Sequence, residues 1–138
     1  MEMKRLIVGM TTALALSGCA QMTDSRPIPV INTEPVTCNS EAMCSYLWSI
    51  VPDKIGKASR MKVSSESDTF ISTYPAIDTR QLGARVAKIQ QPNGDYQMKA
   101  TFYCHRHATP KDCERDIIDA TNFFNKVMGL YKADYLKR

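Results

Sequence analysis

The residues in this chain that could do chemistry are five cysteines, two histidines and a cluster of carboxylates, and their spacings limit what that chemistry can be. No two cysteines stand in a C-x-x-C pair, the spacing that structural zinc sites and dithiol redox centres use. His105 and His107 lie two residues apart and would share one side of a strand, where a metal could bridge them with help from Asp112. The plainer alternative is that they decorate an exposed strand end. Asp112, Glu114, Asp116 and Asp119 could supply the paired carboxylates of a glycosidase. Their position at a helix start is equally accounted for by the helix dipole and by an Arg115–Asp119 pair one turn apart. The chain has no G-x-S-x-G nucleophile turn and no glycine-rich phosphate loop. The expectation is a non-catalytic protein with no cofactor and no metal.

The elements that must position these residues follow from hydrophobic period and turn chemistry. Asn39 or Ser40 can cap a helix that runs to about Val51, where Pro52 and Asp53 stop it. Its Cys44, Leu47, Trp48 and Val51 share one face. Residues 61–65 and 69–74 read as two strands around the polar turn Glu66-Ser67-Asp68. A clearer hairpin joins residues 84–91 to 96–105 through Asn93-Gly94, the dipeptide that type I′ turns favour. With Pro92 opposite Asp95, Ile89 faces Met98, Ala87 faces Ala100 and Arg85 faces Phe102, and these form one side of the sheet with Tyr96 and Cys104. Lys88 with Lys99, Gln90 with Gln97 and Val86 with Thr101 form the other. Thr109-Pro110 opens a long last helix whose stripe runs Cys113, Ile117, Ala120, Phe124, Val127, Met128, Tyr131. The fold class expected is α+β: an N-terminal helix, a four-stranded antiparallel meander, and a long C-terminal helix packed with the first helix on one face.

Four cysteines in the body of the chain allow three pairings. Cys104 on the last strand and Cys113 on the last helix point to a common core, which favours Cys104–Cys113 and leaves Cys38–Cys44 as a tie across the start of the first helix. Cys44–Cys104 is the competing arrangement, since both also point inward. Either way two disulfides are expected, and a chain of this size benefits from them.

The fifth cysteine stands apart. Lys4-Arg5 precede an apolar run from Leu6 to Leu16, too short to span a bilayer, and the run ends in Leu16-Ser17-Gly18-Cys19. This ending closely resembles the lipobox of bacterial lipoprotein precursors. The resemblance covers about the first twenty residues and implies that residues 1–18 are a signal peptide and that Cys19, acylated, becomes the first mature residue. Ala20 and Gln21 follow instead of the Asp that retains enteric lipoproteins in the inner membrane, which implies an outer-membrane anchor on the periplasmic side. The alternative is an ordinary signal peptide cut elsewhere, leaving an odd free thiol in an oxidising compartment. Residues 19–37, with Pro27, Pro29 and Pro35, read as a lipidated tether able to reach on the order of 50 Å. A strand at residues 28–32 packed on the body is the other reading. Residues 38–138 form the single domain.

Loss of Glu2, Lys4 and Arg5 with the signal peptide leaves 16 basic and 13 acidic side chains, a net charge of +3. That is too mild and too dispersed to argue for nucleic acid. The surface that remains for function is the outer hairpin face, Lys88, Lys99, Val86, Thr101 and Tyr103, together with His105 and His107. The function expected is an accessory factor that binds membrane lipid through Cys19 and an envelope protein through this face. An inhibitor or immunity protein against a cell-wall hydrolase is the second expectation, because the segment from Cys104 to Cys113 loosely resembles the disulfide-closed, histidine-bearing loop of some lysozyme inhibitors. A metal-binding lipoprotein is the third.

Overall fold

The structure, a computed structural model, describes residues 26–138. The expected signal peptide, the acylation site Cys19 and the first part of the tether lie outside the described residues. Within them the order is β1 (Val36–Cys38), α1 (Glu41–Ser59), β2 (Val63–Glu66), β3 (Phe70–Thr73), β4 (Leu82–Gln90), β5 (Tyr96–Cys104) and α2 (Pro110–Leu136). The architecture is α+β, but the antiparallel sheet has five strands, ordered β1-β5-β4-β3-β2. The expected meander is β2 to β5. The fifth strand, β1, pairs with β5, Val36 opposite Met98 and Cys38 opposite Tyr96. Three residues are too few to show an alternating pattern, so β1 was not legible in the sequence. The first element described is therefore a strand, with α1 following it.

Ser40 caps α1, its Oγ accepting from the Met43 amide at 3.2 Å. The expected stop at Pro52 does not occur, and α1 continues to Ser59. A proline inside a helix costs about 3 kcal/mol. Leu47, Val51 and Ile55 form one uninterrupted, fully buried stripe across it, and each such side chain contributes about 1.5–3 kcal/mol. Tertiary burial thus outweighs the local penalty. The helix ends where Arg60 turns left-handed, at φ 63°.

Thr109 caps α2 by accepting from the Asp112 amide at 3.2 Å, and the helix runs beyond Gly129 to Leu136. Its Ala120, Phe124 and Met128 meet Leu47, Val51 and Ile55 of α1 and Val86, Met98 and Phe102 of the sheet in one core. Both helices cover the same sheet face. Cys38 is bonded to Cys44 and Cys104 to Cys113, with Cα atoms 5.2 and 5.7 Å apart. The Cys44–Cys104 pairing is not formed. The first bond ties β1 to the start of α1, and the second ties β5 to the start of α2.

Residues 26–35 correct the expectation of a free tether up to Thr37. They form no strand, yet they lie along α2. Asn122 Oδ1 accepts from the Asn32 amide (3.1 Å) and the Thr33 hydroxyl (2.9 Å), while its amide nitrogen donates to the Val30 carbonyl (2.8 Å). Asn125 donates to Thr33 Oγ1 (3.2 Å), and the Arg115 guanidinium donates to the Arg26 carbonyl (2.9 Å). A proline-rich segment without its own ladder is thus satisfied by side chains of a helix.

The β4–β5 hairpin exists, but its register differs by one residue from the expected one. Gly94 donates to the Gln91 carbonyl (2.9 Å), and Gln91 donates to the Asp95 carbonyl (2.7 Å). Gly94 is at φ 92° and Asn93 is not left-handed, which excludes a type I′ turn. Pro92 takes the first central position, which its fixed φ suits, Asn93 the second, and Gly94 the left-handed bulge position of a three-residue loop. Val86 therefore faces Ala100, Lys88 faces Met98 and Arg85 faces Thr101. A slip of one residue turns every β4 side chain over. Leu82, Ala84, Val86 and Lys88 point to the helices, and Arg85, Ala87 and Ile89 point away.

Burial of a charge at Val86, which is 0 % exposed, and its harmless placement at Ile89, 41 % exposed, separate the two registers. Val86→Asp is expected to cost more than about 3 kcal/mol. Ile89→Asp is expected to stay within about 1 kcal/mol in denaturant unfolding. The opposite order of midpoints would restore the two-residue turn.

Candidate functional site

Two surfaces gather the residues with chemical potential. The first is the sheet face away from the helices. Strand alternation and register place Phe70 and Ser72 of β3, Arg85, Ala87 and Ile89 of β4, and Lys99, Thr101 and Tyr103 of β5 on it. Phe70, Ile89 and Tyr103 are large, apolar and about two-fifths exposed. The Arg85 guanidinium lies 5.2 Å from the centre of the Tyr103 ring, an arrangement worth about 0.5–1 kcal/mol at an exposed site. Arg85 and Lys99 are the charged residues that the five strands place on this face.

Of the residues expected here, Lys99, Thr101 and Tyr103 occupy this face, and Val86 and Lys88 do not. Val86 is a core residue. Lys88 lies on the helix side, its Nζ 4.9 Å from the centre of the Trp48 ring, whose Nε1 donates to the Ser67 carbonyl at 2.9 Å. The expected pairing of Lys88 with Lys99 is therefore absent, because the three-residue turn puts the two lysines on opposite faces. Arg85, Ala87 and Ile89 were missed as surface residues for the same reason. The signal that could have found them is the expected pairing of Arg85 with Phe102, which set a charge on the core face.

The second surface is a cleft of about 640 Å³ where α1 ends and α2 begins. Asp112, Asp116 and Asp119 of α2 line it, as do Lys57 and Arg60 at the end of α1, Arg80, and Arg26 from the N-terminal segment. Arg115 corrects a further expectation. It is 5 % exposed, and its carboxylate partner is Asp112 at 3.4 Å, not Asp119. Lys57 is paired with Asp53 at 3.0 Å and Arg80 with Asp78 at 3.2 Å. The carboxyl of Asp116 is held above its ordinary range, first by burial and then by Asp112 and Asp119, against the pull of Arg60 and Arg115.

His105 and His107 sit in the loop closed by Cys104–Cys113. His105 Nδ1 accepts from the His107 amide (3.2 Å), and His107 Nε2 accepts from Arg106 Nε (3.2 Å). The ring centres are 5.3 Å apart. Among the described residues no three His, Cys, Asp or Glu side chains come together to hold a metal ion, so Asp112 does not complete a triad with the histidines. The basic C-terminal residues are also engaged: Lys132 donates to Thr37 Oγ1 (3.1 Å), and Arg138 pairs with Asp134 (3.0 Å).

No family model, no curated protein and no solved structure matches this chain. Among the described residues no helix is long and apolar enough to cross a membrane. The functional reading therefore rests on the two surfaces and on the N-terminal sequence.

The raised carboxyl of Asp116 carries a sign for stability. A carboxyl whose folded-state pKa exceeds its unfolded value opposes folding while it is ionised, and this opposition fades as the pH falls through the folded value. Asp116→Asn is expected to raise the melting temperature by about 2 °C at neutral pH. The gain should shrink as the pH is lowered through the carboxylate range in scanning calorimetry. A lower melting temperature at neutral pH would mean that the carboxylate is structurally required.

Proposed function

We propose that this chain is a lipid-anchored, non-catalytic binding module on the periplasmic side of an outer membrane, and that its open sheet face docks an acidic surface of another envelope protein. The observation that carries this reading is the face itself. Helices cover one side of the sheet. The other presents Phe70, Ile89 and Tyr103 beside Arg85 and Lys99, and among the described residues no ion pair engages either cation. Exposed aromatic and aliphatic groups flanked by arginine are the composition of interface centres. The two cations bring an acidic partner in and orient it.

The anchor rests on the lipobox-like Leu16-Ser17-Gly18-Cys19. Several acyl chains on Cys19 would make attachment to the bilayer stable, at about 0.8 kcal/mol per buried methylene. The non-catalytic part of the reading rests on the residues available: the four described cysteines are in disulfides, and both histidines bond within their own loop.

A second reading, inhibition of a cell-wall hydrolase, draws on the loop from Cys104 to Cys113. It is braced by the disulfide and by the Ala108 amide donating to the His105 carbonyl at 3.0 Å, and it holds His107 at the surface. Loops fixed in advance bind with less loss of freedom. Protection of peptidoglycan from digestion, abolished by His107→Ala, would favour it.

The leading reading is tested by in-cell crosslinking of the acylated protein. Arg85→Glu with Lys99→Glu is expected to remove the crosslinked envelope partner while leaving the melting temperature within about 2 °C. Lys88→Glu, on the helix side, should leave the crosslink in place. Equal crosslinking in all three would sink the docking face. Fatty-acid labelling that survives Cys19→Ser would sink the anchor separately.

A further inference from the structure

The cleft between the end of α1 and the start of α2 holds charges of both signs that the fold leaves incompletely matched. Asp112 is taken by Arg115, Lys57 by Asp53 and Arg80 by Asp78. Asp116 and Asp119, one helical turn apart on α2, are in no hydrogen bond or ion pair among the described residues. Among the described residues Arg60 makes one weak bond, to the Arg80 carbonyl at 3.5 Å, and has no carboxylate within ion-pair distance. Left-handed Arg60 ends α1, so its guanidinium is presented where the helix stops. Leu82, Ala120 and Phe123 add an apolar part to the lining of the same cleft, and Phe123 is 43 % exposed. Asp116 ionises reluctantly, and a cation bound there would relieve what burial and its two acidic neighbours impose. A ligand that matches the cleft therefore carries both a cation and an anion on a carbon frame.

The chain also limits where this cleft can be. Arg26 lines it, and the Arg26 carbonyl is held by Arg115. Six residues lie between Cys19 and Arg26, so even fully extended the two are at most about 25 Å apart. A cleft kept that close to an acylated residue meets phospholipid head groups at high local concentration.

We propose that the cleft binds a phosphate–ammonium zwitterion, the chemistry of an ethanolamine phospholipid head group, with the ammonium between Asp116 and Asp119 and the phosphate on Arg60. The membrane as source rests on the acylation of Cys19 proposed above. The charge match of the cleft does not. The volume, about 640 Å³, admits the glycerol phosphate as well as the ethanolamine.

The test is calorimetric titration of the acylated chain in non-ionic micelles with glycerophosphoethanolamine, and separately with glycerol 3-phosphate and with ethanolamine. The zwitterion is expected to bind at least about tenfold tighter than either half. Asp116→Asn and Arg60→Gln should each weaken it by about tenfold. Circular dichroism confirms that both variants are folded. No saturable heat with the zwitterion, or equal binding of glycerol 3-phosphate alone, would overturn the site. To separate the sources, the acylated chain is placed on phosphatidylglycerol vesicles with or without phosphatidylethanolamine. Masking of the soluble zwitterion by the ethanolamine lipid is the result expected from head-group capture. Unchanged binding would overturn the membrane source and assign the cleft to a soluble zwitterion. Fatty-acid labelling of Cys19, measured on the same preparation, distinguishes failure of the anchor from failure of the cleft.

Discussion

The orientation of the whole sheet depends on how three residues turn the chain between β4 and β5. Pro92 can donate nothing to a strand ladder, and its ring fixes φ near the value that the first central position of a type I turn requires. Pairing therefore closes at Gln91–Asp95, and Gly94 takes the left-handed position. From that closure outward, β4 presents Leu82, Ala84 and Val86 to Met98 and Phe102 in a continuous apolar surface. The two helices have something to cover on that side and little on the other. A turn one residue shorter would bury Arg85 and expose Val86, and the energetic difference between those outcomes is several kilocalories per mole. The register is thus held from both ends, by turn chemistry and by burial.

A second constraint acts at the start of α2. Cys113 ties the first turn of the helix to the end of β5, Thr109 caps it, and Arg115 reaches the N-terminal segment and Asp112 from a buried position. A buried guanidinium is retained only where its donors are met, and here the Arg26 carbonyl meets one of them. The same crowding leaves Asp116 and Asp119 facing a cleft whose other cations are mostly committed elsewhere. The charge imbalance of the cleft is therefore a product of how the helix start is braced.

Much of this fold is legible in the sequence, and the gaps have physical causes. The α2 cap, the α2 stripe and the four strands of the meander follow from capping chemistry and hydrophobic period. β1 is not legible because three residues carry no period. α1 ran past Pro52 because a buried stripe overrode a local penalty, and no local rule reports a tertiary gain. The register differs from the expected one because Pro92, rather than Asn93-Gly94 alone, sets the turn. Much less of the candidate site was legible. Lys99, Thr101 and Tyr103 lie on the open face, but the register expected from Asn93-Gly94 turns Arg85, Ala87 and Ile89 toward the core. The cleft joins residues from four separate parts of the chain, and spacing in one dimension cannot show that.

The N-terminal segment and the open sheet face lie on opposite sides of the domain. Residues 30–33 are bonded to Asn122 and Asn125 of α2, so the chain leaves toward Cys19 from the helix layer. The face bearing Arg85, Lys99 and Tyr103 is the side that neither helix covers. If Cys19 is acylated, the six residues between it and Arg26 are too few to carry the helix layer far from the bilayer, whereas the sheet face is turned outward. A long free tether would have let the domain present any surface. A chain strapped as far as Arg26 favours one, and the short leash then does for orientation what a rigid linker does in multidomain proteins: it lowers the entropy lost when the outward face meets its partner.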